Sequence, residues 1–109
     1  MKLLPGGVLM KNEIMQKAVN LIIDERKRQI EKWGNQNGNG FFEWVSILTE
    51  EVGELAEAIN ETFFETQNTK KERGGFENIL KEAIQVAAVA TAIAENVLYK
   101  DFYEEESNA

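Results

Sequence analysis

The residues best placed to do chemistry in this chain are glutamates that recur at helical spacing. Between residues 50 and 65, glutamates stand at 50, 51, 54, 57, 61 and 65. At about 100° per residue, Trp44, Leu48 and Leu55 fall within about 60° of Glu51 on one side. Ile47 and Ala58 fall within about 40° on the other. Glu51 therefore points where the apolar side chains point. Glu54, three residues on, is its neighbour at the border of that face. Glu50, Glu54, Glu57, Glu61 and Glu65 instead form a charged stripe, and such a stripe is ordinarily a solvated face. A second helix repeats the arrangement. Ile79, Val86, Ile93 and Val97 make one line, Glu82 falls within it, and Gln85 lies one turn further on.

Burying an unpaired carboxylate costs several kcal/mol, and two together would push one pKa upward. Two arrangements would remove that cost: a divalent cation shared by the carboxylates, or a buried ion pair, for which Arg26 is the obvious partner. The chain has no histidine and no cysteine. The usual zinc and copper ligands are thus missing, as are a Glu-x-x-His di-iron site and Ser-His-Asp or Cys-His nucleophiles. A cation here would be held by oxygen alone, which points to Mg²⁺ or Mn²⁺, with Ca²⁺ as a lesser alternative.

The elements that must position these groups are marked by glycine. Gly34, Gly38 and Gly40, then Gly74 and Gly75, divide the chain into three long helices. They are expected over about residues 12–33, with Asn12 as cap, 42–65 and 76–98. On the first, Met15, Val19, Ile22, Ile30 and Trp33 recur at helical spacing, with Arg26 and Gln29 in the same line. On the second, Trp44, Leu48, Leu55 and Ile59 make an apolar line, with Val45, Val52, Ala56 and Phe63 beside it. The centre of the third, AIQVAAVATAIA, is apolar nearly all round. The expectation is an all-α bundle of three long helices over 12–98, completed by a second subunit as a homodimer or homotetramer. A flexible extension (1–11) precedes it and an acidic tail (99–109) follows. The net charge of −7 disfavours duplex nucleic acid, which needs a cationic face. No apolar run reaches the ~20 residues of a membrane span, and a cytoplasmic location is expected.

Three segments in order resemble a known family. EEVGELAEAI at 50–59, KEAIQVAAVATA at 81–92 and ERKRQIEKWGNQ at 25–36 are similar to the MazG-like all-α nucleoside triphosphate pyrophosphohydrolases, the last segment to their phage-type branch. The resemblance spans residues 24–98. It implies Mg²⁺-dependent hydrolysis of a nucleoside triphosphate to monophosphate and pyrophosphate. The family's EExxE motif falls on Glu50, Glu51 and Glu54, and its ExxD motif on Glu82 and Gln85. The aspartate is thus replaced by glutamine, which offers a carbonyl oxygen and no charge. A histidine that often follows the WGxQ segment is replaced near Asn37.

On this resemblance Glu51, Glu54, Glu82 and Gln85 hold the metal, and Glu50 orients or deprotonates the attacking water. Arg26 grips the triphosphate, with Lys32 and Arg28 as alternatives. Gln29, Asn35 and Trp33 are candidates for the base and sugar, while Trp44 is expected in the core. Lys70, Lys71 and Arg73 could reach phosphates from the second loop, although a solvated loop is the simpler expectation. Two other functions remain open: a non-catalytic nucleotide or metal sensor, and a structural oligomerisation module in which Glu51 and Glu82 are paired with basic residues.

Overall fold

The computed structural model describes residues 7–34, 36, 38–64 and 75–100, with side chains from Met10 onward. Three helices are present: α1 (Gly7–Trp33), α2 (Phe41–Phe63) and α3 (Phe76–Tyr99). There is no strand among the described residues, so the expected all-α class holds. α3 is the central element. It packs against both α1 and α2, whose backbones do not approach each other closely.

α1 begins five residues earlier than expected, and Asn12 lies inside it rather than capping it. Nothing between Gly7 and Asn12 breaks a helix; the only proline is at position 5, where it precedes the first turn. Residues 7–11 are therefore helical. α1 ends at Gly34, whose amide donates to the Ile30 carbonyl at 2.8 Å. Gly34 has φ +73°, the left-handed conformation that closes helices and that a Cβ penalises. Gly75, at φ +98°, precedes α3. Its amide donates to Thr62 Oγ1 at 2.6 Å, and Thr62 Oγ1 donates in turn to the Ala58 carbonyl. This hydroxyl ties the end of α2 to the start of α3.

The core lies between α2 and α3. Trp44, Val89 and Ala92 are buried together, with Ile47, Leu48 and Ile93 packed against them. Ala58 and Ala88 are also buried, small side chains that let backbones approach. The expected apolar line of α2 divides in two. Trp44, Leu48 and Leu55 turn inward, whereas Val45, Val52, Ala56, Ile59 and Phe63 are exposed. On α1 the buried members of the expected line are its polar ones, Arg26 and Gln29; Met15, Val19, Ile30 and Trp33 are exposed. No helix among the described residues is long and apolar enough to cross a membrane.

Candidate metal and nucleotide site

Helical phase placed Glu51 and Glu82 on inward faces of two different helices, and α2 and α3 pack those faces together. One carboxylate oxygen each from Glu51, Glu54 and Glu82 lies within 4.8 Å of the others, and all three residues are half-buried. Glu51 Oε2 is buried without a hydrogen-bond partner. The Glu51 carboxyl is held above the usual carboxylate range, first by burial and then by the negative charges of Glu54, Glu82, Glu50 and Glu25. No ion pair reaches Glu51 among the described residues. Three converging carboxylate oxygens, one with an unsatisfied buried lone pair, could hold a metal ion.

Arg26 was expected either to grip phosphate or to neutralise Glu51 or Glu54. It is buried on the inner face of α1, but its guanidinium is engaged elsewhere. Nε donates to Glu95 Oε2 at 2.7 Å and Nη1 to Gln29 Oε1 at 2.8 Å. The long side chain reaches a carboxylate on α3 that spacing along α1 could not indicate. Gln29 is buried too, and its Nε2 donates to Gln85 Oε1 and to Glu25 Oε2, each at 3.4 Å. Gln85 is thus joined to an amide on α1 while standing one turn beyond Glu82. Glu50 is exposed and lies outside the three-carboxylate cluster, though its charge is felt by Glu51.

A cavity of about 210 Å³ opens beside the cluster, lined by Gln29, Trp33, Gln36, Trp44, Ile47, Glu51, Gln85 and Val89. Trp33 is half-exposed at its edge. Lys32 Nζ lies 4.6 Å from the centre of the Trp33 ring and the Arg28 guanidinium 5.7 Å from it. Trp44 is 2 % exposed, so it serves the core as expected while also forming a cavity wall. Its indole N–H is buried without a hydrogen bond. A larger groove of about 380 Å³ between α1 and α3 shares Gln85 but touches none of the three carboxylates.

Two contributors were not singled out from sequence. Glu25 is half-buried, close enough to raise the pKa of Glu51, and held by Arg28 at 2.6–3.1 Å. That pairing keeps the Glu25 carboxyl below the usual range despite burial. Its position one turn before Gln29, on the line of polar inward residues, was the available signal. Gln36 enters the cavity from the loop at φ 56°, a conformation no local pattern announced. Asn35, Asn37, Lys70, Lys71 and Arg73 lie outside the described residues. The chain matches no family model, no curated protein and no solved structure.

Proposed function

We propose that this protein is a Mg²⁺-dependent nucleoside triphosphate pyrophosphohydrolase, with Mn²⁺ as a possible substitute. The observation that carries the proposal is the convergence of Glu51, Glu54 and Glu82 oxygens within 4.8 Å beside a cavity walled by two indoles and three amides. The family resemblance of the three motifs supplies the reaction; the geometry is compatible with it.

When bound, the cation offsets charge that develops on the leaving pyrophosphate. The chain's own residues do the remainder. Glu51, Glu54 and Glu82 would supply the ligand oxygens, with Gln85 able to add a neutral carbonyl. Glu50, solvent-exposed beside them, would orient a water and take its proton as that oxygen bonds to phosphorus. The P–O–P link between the α and β phosphates breaks, and pyrophosphate departs with the bridging oxygen. The Trp33 face would stack on the base, and a base carbonyl in the cavity would give the Trp44 N–H an acceptor. Gln29 and Gln36 would present amides to the base or sugar. Lys32, exposed with its Nζ 4.6 Å from the centre of the Trp33 ring, would offer a cation to the phosphates. Arg26 acts through Gln29 as a positioning residue. Such an enzyme would draw on cytoplasmic nucleotides.

The test is pyrophosphate release from a panel of ribo- and deoxyribonucleoside triphosphates with Mg²⁺, for the natural chain and for Glu51→Gln. Release abolished by the substitution, with helicity retained, supports the proposal. Absence of release from every triphosphate, or full activity in Glu51→Gln, refutes it.

A further inference from the structure

The hydrogen-bonding polarity of the cavity beside the carboxylates is set by side chains that begin outside it. Glu95 Oε2 accepts from Arg26 Nε at 2.7 Å, and Arg26 Nη1 donates to Gln29 at 2.8 Å. A guanidinium has donors and no acceptor, so the end of the Gln29 amide that faces it must be the carbonyl. The opposite end meets Glu25 Oε2 at 3.4 Å. Arg28, first among its neighbours, holds the Glu25 carboxyl below the usual range, and an ionised carboxylate only accepts. Gln29 is thus keyed at both ends. Turning its amide over would set donor against donor and acceptor against acceptor. Arg26 and Gln29 are each 6 % exposed, so little water reaches these bonds to replace them.

The same polarity passes to Gln85. Its Oε1 accepts from Gln29 Nε2 at 3.4 Å, so the carbonyl is already taken. Both glutamines line the cavity, and so does Trp44. The indole N–H of Trp44 can only donate, and it is buried with no hydrogen-bond partner among the described residues. Two other polar side chains on the wall do not change this balance. The hydrogen bond that holds Gln36 is made by its backbone carbonyl, which leaves the side-chain amide able to present either end. Glu51 commits its carboxylate to the cluster with Glu54 and Glu82.

We infer that this cavity selects nucleotides whose base turns a carbonyl to the wall (uracil, thymine, hypoxanthine or guanine) over those that turn an exocyclic amine (cytosine or adenine). The inference rests on the reading of the cavity as a base pocket. A base carbonyl gives the Trp44 N–H the acceptor it lacks and meets the donor end of Gln29. An amine in the same place sets N–H against N–H on both, and leaves the indole donor buried and unpaired. A buried donor left without its partner is what lets a site reject a ligand of nearly the same shape. Arg26 touches no part of the base in this arrangement. It is a positioning residue that decides which end of Gln29 the base meets.

Two pairs of ligands test it, UMP against CMP and IMP against AMP, because within each pair the bases differ at one edge, carbonyl against amine. Isothermal titration calorimetry of the full chain with Mg²⁺ should show UMP and IMP bound at least about tenfold tighter than CMP and AMP, the effect of one buried hydrogen bond. Trp44→Phe deletes the N–H and keeps an aromatic ring in the core. Arg26→Met frees Gln29 to turn over. Each should bring the ratio within both pairs towards one, whereas a site merely loosened by substitution weakens both members of a pair alike and keeps the ratio. Equal affinities within the pairs for the natural chain, a preference for CMP and AMP, no binding of any of the four, or a preference that survives both substitutions overturns the inference. Pyrophosphate release judges the hydrolase reading separately. Carbonyl preference without release from any triphosphate upholds the inference and removes the hydrolase; release without preference does the opposite.

Discussion

Replacing Glu51 by glutamine should stabilise the protein without cation and weaken its response to cation. Glu51, Glu54 and Glu82 oxygens lie within 4.8 Å of one another. Two unit charges at that separation repel by about 0.9 kcal/mol at the permittivity of water and about 3.5 kcal/mol at an effective value of 20. A half-buried cluster lies between these limits, and the side chains can spread slightly to relieve it. Glu51→Gln removes two such pairs and gives the buried position a neutral amide. We expect a gain of about 1–3 kcal/mol in the metal-free protein, or roughly 4–8 °C in Tm per kcal/mol.

The gain has a defined pH dependence. The Glu51 pKa is raised in the folded state, so folding favours its protonated form. Stability of the natural chain is fully present below the ordinary glutamate pKa and is lost as pH rises through the folded value. Glu51→Gln lacks that loss. The two proteins should melt together near pH 4 and diverge towards pH 8, with the variant higher (pH values approximate). Millimolar Mg²⁺ should raise the natural chain by mass action and the variant much less. Circular-dichroism melts in EDTA and in Mg²⁺ at the two pH values provide the measurement. A variant less stable than the natural chain in EDTA at the higher pH would refute the reasoning, because it would mean that the carboxylate is paired with a basic group. Equal stabilisation of both proteins by Mg²⁺ would remove Glu51 from the cation site. Glu57→Gln, exposed on the acidic ridge, serves as the control and should change stability by less than about 0.5 kcal/mol.

Arg26→Met deprives Glu95 and Gln29 of a shared donor. Glu95 is partly solvated, so the cost should be about 1–3 kcal/mol by chemical denaturation, accompanied by a higher KM for nucleotide as Gln29 loses its orientation. A KM unchanged with folding intact would separate Arg26 from the cavity. Trp33→Ala removes the exposed indole at the cavity edge. It should raise KM several-fold with little change in kcat, and the nucleotide-induced change in tryptophan fluorescence should diminish; an unaltered titration would exclude Trp33 from base contact. Gly34→Ala meets no neighbouring atom but must adopt φ +73°, at a cost of about 1–2 kcal/mol that thermal melts will register.

The parts legible in sequence are those governed by local periodicity. Glycines mark the end of α1 and the starts of α2 and α3, and phase alone turns Glu51 and Glu82 towards a common interior. Phase could not tell which interior. Trp44 and Val52 are eight residues apart on one amphipathic helix, yet one enters the core with α3 and the other faces out. An apolar stripe wider than a single contact is divided by tertiary packing, which sequence does not display. Arg26 shows the same limit for charge. Its inward direction followed from spacing, but its partner, Glu95, lies 69 positions away, and a long flexible side chain has many carboxylates within reach. The start of α1 was misplaced because a capping residue is informative only where something prevents the helix from continuing, and nothing before Asn12 does.

The Thr62 hydroxyl, held between the Ala58 carbonyl and the Gly75 amide, makes the chain between α2 and α3 an adjustable spacer. Once the two helix ends are clasped, the separation that the intervening residues must bridge is set by the clasp and not by their own number. Lengthening that stretch then costs only loop entropy, about 0.6 kcal/mol per doubling. An insertion between Phe64 and Gly75 should therefore leave the register of Glu51 and Glu54 against Glu82 unchanged.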